Sequence, residues 1–334
     1  MGLIVNQLAA IRSSRGVNRF FSAIMKNLNW DSDVKYIEAS RSKMLDRVLD
    51  FSRRGFTHDL FWTPCLRGPV NMPNHIISVH DCINIQYIYK NDWRLSLFRK
   101  VTQKIIDNSV KIVALSETTK KSFLEHYYVE DNKIIVIRFA SNFDWIKKEK
   151  LLRCKSNIIN SPQPYILLVT NNLIHKNNPR AIQALINSSC KKLGITLRIV
   201  GSIGQAESKL LQDNGIVFSI NSTVSDSTLF DLYSGALFLF SPTLSEGHNL
   251  PIGEALQIGA NVLCSDIPAH REFYNGRVSF FNPLLFEDMT YSINAAIEKS
   301  GLWYLAPDDN VRTYFDVARD YRKLFLDLEQ KYCK

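Results

Sequence analysis

The run Ala236-Leu-Phe-Leu-Phe240, continuing as Ser241-Pro-Thr-Leu-Ser-Glu246-Gly247-His248-Asn249-Leu250-Pro251-Ile-Gly253-Glu254-Ala255-Leu256, decides how this chain is read. Five consecutive apolar residues predict a strand covered on both faces. The loop after it carries Glu246, Gly247 and Pro251, and the helix that follows carries Glu254. The unpaired N–H groups at a helix N-terminus attract phosphate. One carboxylate in the loop and one in the first helical turns can accept hydrogen bonds from sugar hydroxyls. The arrangement suits a sugar joined to a nucleotide diphosphate.

Working outward, the same alternation of apolar run and amphipathic stretch recurs on both sides. Upstream, strands are expected at Ile76–His80, Lys111–Leu115 and Ile134–Ile137. Downstream they are expected at Tyr165–Val169, Thr196–Val200, Ile216–Phe218, Ala236–Phe240, Asn261–Cys264 and Val278–Phe281. Helical stretches between such runs are the signature of parallel α/β sheets. The series breaks near residues 145–164, where the charge run Lys147-Lys148-Glu149-Lys150 precedes the turn signal Ser161-Pro-Gln-Pro164. The expectation is an α/β protein of two doubly wound, Rossmann-like domains, 1–150 and 160–310, facing across a cleft. Residues 311–334 are expected to form a helix packed back on the first domain. In such sheets ligands sit at the carboxyl ends of the strands, so the cleft is the expected site.

The chain has 334 residues, a length that suits two domains of about 150 each. Its composition is globular, 46% hydrophobic and 22% charged. No run reaches the roughly 18 apolar residues of a spanning helix, and Met1–Ala10 lacks the basic flank of a signal peptide. A soluble, cytoplasmic protein is expected. Six cysteines, none in a CxxC pair, point to reduced thiols rather than disulfides or a metal site. The net charge of +9 is lopsided: residues 1–150 hold 24 Lys+Arg against 15 Asp+Glu, and the remaining residues hold 17 of each. The first half is therefore expected to meet something anionic: nucleic acid, anionic lipid or a diphosphate-bearing acceptor. Two basic amphipathic stretches, Arg41–Phe56 and Trp93–Ile106, suit shallow contact with an anionic membrane surface, the plainer reading being helices with one face on the sheet.

The segment Val224–Pro283 resembles the retaining glycosyltransferases of family 4, with their two-domain GT-B fold. The matching residues are Glu246-Gly247, Leu250-Pro251, Glu254-Ala255-Leu256, Gly259, Ser265-Asp266, Pro268 and Glu272. Upstream pieces match in order: Gly16-Val-Asn-Arg19-Phe20, His80-Asp81, Ser116-Glu117-Thr118-Thr119 and His175-Lys176-Asn177. The likeness covers nearly the whole chain. Two departures stand out. The family's aromatic and glycine after Glu-Gly are here His248 and Asn249, a departure that bears on donor choice; asparagine tolerates left-handed backbone better than most residues. The arginine that often precedes the family's diphosphate-binding lysine is missing from Thr170–His175.

The resemblance implies that Glu254 binds the ribose and that Asn177 and Gly16 belong to the donor site. It also implies that His80 meets the donor sugar or the positive charge developing there, and that Arg19 and Asp81 border the acceptor. Glu246 is expected beside the reacting carbon, and Lys176 on the leaving diphosphate as a point charge. The backbone N–H groups of His248, Asn249 and Leu250 are expected to meet the diphosphate or the sugar, with Gly247 permitting close approach. The bland readings are a solvated loop carboxylate for Glu246, an exposed helix-start acid for Glu254, a solvated Lys176, a buried structural His80, a surface Arg19 and a turn-capping Asp81. Asp31-Ser-Asp33 mimics a metal-binding Asp-x-Asp but reads as a surface turn. Gly201-Ser-Ile-Gly204 lacks the third glycine of a dinucleotide loop and also reads as a turn.

The expected activity is transfer of a sugar, with retention, from a nucleotide diphosphate to an acceptor hydroxyl. A helix N-terminus and Lys176 supply the electrostatics, with no metal and no cofactor. GDP-mannose is the first donor expected and UDP-sugars stay open. The acceptor is a glycan or a lipid-diphosphate-linked glycan of bacterial surface polysaccharide synthesis, met at the inner face of the cytoplasmic membrane. A nucleotide-sugar epimerase and a non-catalytic sugar-nucleotide-binding partner of the same fold are the alternatives. A hydrolase is disfavoured because Glu246 and Glu254 do not face each other across a bond. Nucleic-acid binding would account for the charge but not for the glutamate motif.

Overall fold

The computed structural model describes residues 3–7, 15–29, 34–36, 59–66, 68–88, 93–140, 163–299 and 312–332. The chain divides into two compact units, Met1–Ala140 with Arg312–Lys334, and Ser141–Val311.

Unit 1 is built on strands β1 (Leu3–Val5), β2 (Val34–Tyr36), β3 (Leu60–Thr63), β4 (His75–Val79), β5 (Ser109–Ala114) and β6 (Ile134–Val136). They form one parallel sheet in the order β2-β1-β3-β4-β5-β6. Helices α1 (Arg15–Asn27), α2 (Arg94–Asn108) and α3 (Glu117–Leu124) connect them. Ser116 caps α3, its Oγ accepting from the Thr119 N–H at 2.9 Å. Strands β1, β2 and β3 are only three or four residues long, too short for the period-2 pattern to announce them.

The helix Tyr314–Tyr332 belongs to this unit and packs on α1 and β3. Its Tyr321 and Phe325 rings lie 5.2 and 5.5 Å from Trp62, and Tyr321 lies 5.9 Å from Phe20. A polar chain threads this aromatic core. Trp62 Nε1 donates to Ser78 Oγ at 3.0 Å, and Ser78 Oγ shares a hydrogen with the Tyr321 hydroxyl at 2.8 Å. Buried hydroxyl and indole groups thus keep partners that water would otherwise supply.

Unit 2 carries β7 (Tyr165–Thr170), β8 (Thr196–Gly201), β9 (Phe218–Asn221), β10 (Phe238–Ser241), β11 (Val262–Ser265) and β12 (Ser279–Phe281). Its helices are α4 (Asn178–Asn187), α5 (Gln205–Asp213), α6 (Asp226–Gly235), α7 (Leu250–Ile258), α8 (Pro268–Tyr274) and α9 (Phe286–Lys299). All strands are parallel, in the order β12-β11-β10-β7-β8-β9. Alternate residues of β7 serve opposite faces. Ile166 and Leu168 join Ile182, Leu185, Met289 and Ile293 on one side. Tyr165 and Leu167 join Phe230, Tyr233, Ile252 and Leu256 on the other. Two covered faces explain why these strands read as unbroken apolar runs. The edge strand β9 starts later than the apolar run suggests, at Phe218, and is mostly exposed. Gly201, at φ +111°, ends β8, and residues 202–204 link it to α5.

Asp31–Asp33, Arg41–Phe56 and Lys147–Lys150 lie outside the described residues. The cysteines that are described, Cys65, Cys82, Cys190 and Cys264, are buried.

Candidate functional site

In unit 2 the chain starts at β7, builds outward to β9, then returns to place β10 on the other side of β7. The loops after β7 and β10 therefore diverge to opposite faces. The crevice between them at the carboxyl ends of the strands is where such sheets take ligands. The first loop holds Asn171 to Asn177 and the second Pro242 to Asn249.

The loops are tied together by backbone and amide groups. The His175 carbonyl accepts from the Leu244 N–H at 2.7 Å and from Thr243 Oγ1 at 3.0 Å. Asn177 is buried and left-handed, at φ +58°. Its Nδ2 donates to the carbonyls of Pro242 (3.1 Å) and Pro283 (2.8 Å), and its Oδ1 accepts from Arg180 at 3.1 Å. Its side chain thus locks three loops together, and it is the N-cap of α4, with Pro179 in the first turn.

The lock brings Lys176 to Glu246. Nζ sits 2.6 Å from Oε1, and the two side chains are 19% and 12% exposed. Burial pushes the Glu246 carboxyl up, but the Lys176 charge and hydrogen bond outweigh it, and the group is held below the ordinary glutamate range. Neither residue is the solvated surface group of the bland reading. Burial and the Lys176 charge lower His175 to about 4, so it is neutral beside the pair.

The second carboxylate is buried too. Glu254 is 3% exposed and its Oε2 accepts from the Tyr233 hydroxyl at 3.0 Å. The exposed helix-start reading is excluded. Helix α7 is bounded by left-handed residues, Asn249 at φ +79° before it and Gly259 at φ +82° after it. His248 is buried, its ring edge-on to Phe273 at 4.3 Å and Tyr274 at 5.6 Å. Burial lowers it to about 3, so it too is neutral.

Gly16, Arg19, His80 and Asp81 belong to unit 1. Gly16 and Arg19 lie in the first turns of α1, and the same helix sends Phe20 against the His80 ring, edge-on at 4.9 Å. His80 follows β4; its Nε2 lies 2.7 Å from the Pro64 carbonyl, which only accepts, so Nε2 carries the hydrogen. Burial lowers the ring to about 4 against the opposing effect of that bond, leaving it uncharged. The His80 carbonyl accepts from Thr119 Oγ1 at 3.0 Å. Asp81 Oδ1 accepts from the Ile83 N–H at 3.0 Å, an Asx turn that caps the following residues.

Sequence reading missed Tyr233, His270, Phe273 and Tyr274. They lie 21 to 26 residues from the groups they touch, and no short-range spacing signals such contacts. Among the described residues no group of three or more His, Cys, Asp or Glu is placed to hold a metal ion. Among them, too, no helix is long and apolar enough to cross a membrane. At the N-terminal end of α2, Trp93 and Leu97 are 80% and 57% exposed beside the exposed Arg94, Arg99, Lys100 and Lys104.

No protein-family model matches the chain. It is 27% identical over 220 residues to the O-antigen chain mannosyltransferase RfbU of Salmonella typhimurium. That match covers 63% of this chain and 57% of the relative, so a little over half of the relative's length is spanned. Among solved structures it resembles WaaG, a glycosyltransferase involved in lipopolysaccharide biosynthesis, with TM-score 0.66 and 16% identity over 100% of this chain and 98% of that one. It also resembles HepE from Anabaena, in complex with UDP and glucose, with TM-score 0.65 and 12% identity over 99% and 97%. Two doubly wound parallel sheets and these neighbours together give the chain the GT-B fold of glycosyltransferases.

Proposed function

We propose that this chain is a retaining glycosyltransferase of family 4 that works without a metal ion. It moves a sugar from a nucleotide diphosphate to a glycan or lipid-linked acceptor in surface polysaccharide synthesis. One observation carries the reading: the half-buried Lys176–Glu246 pair at the switch point of unit 2, beside the N-terminus of α7. Two oppositely charged loop residues held half out of water keep polar valences that a ligand can use, since withdrawing charge from water is repaid only by pairing or by a ligand.

In this mechanism the diphosphate leaves toward Lys176 and the N–H groups of His248, Asn249 and Leu250 where the chain enters α7. Lys176 gives one of its three donors to Glu246 and keeps two for phosphate oxygens. Glu246 orients Lys176 and accepts from a sugar hydroxyl. Glu254, steadied by Tyr233, accepts from the ribose. The reacting carbon gains positive character; a neutral His80 meets it without repulsion. The acceptor attacks from the face the diphosphate leaves, passing its proton to a diphosphate oxygen. These preorganised charges supply the transition-state stabilisation.

GDP-mannose is the favoured donor, supported by the mannosyltransferase relative, while the UDP and glucose of the Anabaena structure keep UDP-sugars as the competing class. Arg19 and the basic first unit receive a phosphate-bearing acceptor, and the exposed Trp93, Leu97 and basic residues of α2 rest on an anionic membrane surface. The test is a thermal-shift panel of GDP, UDP, GDP-mannose and UDP-glucose, followed by radiolabel transfer to extracted lipid-linked glycans. A stabilised protein and acceptor-dependent transfer are expected, since a ligand that binds only the native state raises its stability. Sugar release at full rate without acceptor, or donor isomerisation alone, would replace this reading with a hydrolase or an epimerase.

A further inference from the structure

Asn249 occupies a backbone conformation, φ +79° and ψ +77°, that a glycine adopts freely and an L-residue resists. Among the described residues every non-glycine with positive φ is an asparagine: Asn29, Asn74, Asn177 and Asn249. Asn249 differs from the first two in being buried. Its Nδ2 donates to Ser241 Oγ at 2.9 Å and to His270 Nε2 at 2.9 Å, and its carbonyl accepts from the Tyr274 hydroxyl at 3.0 Å.

His270 is fixed for this task. Its Nδ1 lies 2.8 Å from the Ser265 carbonyl, an acceptor only, so Nδ1 carries the hydrogen and Nε2 presents its lone pair to Asn249. The ring is fully buried. Ser265 ends β11, Ser241 ends β10 and His270 lies in α8, so three elements converge on one amide. The segment they hold is the turn from Glu246 to Leu250.

We infer that His270 is a positioning residue that holds Asn249 left-handed and thereby aims the start of α7 at the leaving diphosphate. The inference rests on the functional reading above for its purpose, but the clamp itself is a property of the fold. In its chemistry it replaces the freedom of a glycine with an asparagine secured by a neutral imidazole of fixed tautomer. A glycine at this position needs no such clamp, and this makes the idea separable from ordinary core packing.

The test is a double-mutant cycle on the full chain: parent, His270→Ala, Asn249→Gly and the double variant, with GDP and UDP as titrants and unfolding midpoints as a second readout. Loss of one buried hydrogen bond to the turn predicts a Kd about tenfold weaker for His270→Ala when Asn249 is present. In the Asn249→Gly background the same change should cost less than about twofold. An equal loss in both backgrounds would overturn the clamp and leave His270 as core packing. If His270→Ala fails to fold with Asn249 but folds in the Asn249→Gly background, the clamp is supported; failure in both overturns it. If the parent binds neither nucleotide, the functional reading falls. The unfolding midpoints then decide the clamp: a His270→Ala shift that shrinks in the Asn249→Gly background sustains it, and an equal shift refutes it.

Discussion

Lys176 and Glu246 are neighbours only because Asn177 and Thr243 bind the two loops together. Removing one charge leaves the other half-buried without its partner. Lys176→Met should cost about 1–3 kcal/mol in denaturant unfolding and lower transfer by about 10²–10³-fold. Glu246→Gln should have a similar effect on transfer. The combined variant should recover much of the lost stability and none of the activity, because two neutral groups no longer leave a half-buried charge unpaired. Recovery of activity in the pair would show that neither charge meets the donor. The carboxylates were legible as residues of interest from the motif alone. Their burial was not, because Tyr233 reaches Glu254 from a different helix.

Among elements, the strand–loop–helix from β10 through α7 was readable from its residues, since apolar run, turn and Pro251 agree. The first strands of unit 1 were not, because three residues carry no period. Closure of β7 on β8 depends on a single glycine. A Cβ on Gly201 would lie 1.8 Å from the Thr170 carbonyl oxygen, at a φ that side chains avoid. Backbone atoms cannot step aside as a flexible side chain would. Gly201→Ala should therefore cost about 3 kcal/mol or more, read as a lower unfolding midpoint of unit 2. Loss of nucleotide-induced stabilisation should follow, because Thr170 leads into the loop of Lys176. A variant as stable as the parent would contradict the packing of β7 on β8.

At the scale of the molecule, each unit has its own core and its own titrating histidines. Burial lowers His75 to about 3 and His80 to about 4 in unit 1, and His175, His248 and His270 to about 4, 3 and 4 in unit 2. Each folded value lies below the unfolded 6.5, so the unfolded chain binds protons first. Their contribution is complete above pH 6.5 and is lost as pH falls toward 4 and then 3. The Glu246 carboxylate, also depressed, loses its contribution below about 4.5. Calorimetric midpoints should therefore fall steeply between pH 6.5 and 4, and a flat profile there would show these rings to be solvated. A second prediction concerns chain crossing. Removing residues 312–334 uncovers Trp62 and Phe20, so unit 1 should become protease-sensitive while unit 2 keeps its transition. Tyr321→Ala should act in the same direction at about 3–5 kcal/mol.

Residue chemistry by itself determined the alternating α/β plan, the helix that follows the Glu246 loop, the candidate carboxylates and lysine, and an asparagine suited to left-handed backbone. Those properties follow from neighbours within about one helix or strand length, where period, propensity and turn chemistry act. Only the tertiary structure decided that Lys176 lies against Glu246, that Glu254 is buried under Tyr233, and that His270 secures Asn249. Those contacts are made by strand order. The return of β10 to the side of β7, and of β11 beyond it, brings Lys176 to Glu246 across 70 positions of sequence, and local sequence carries no record of such a meeting.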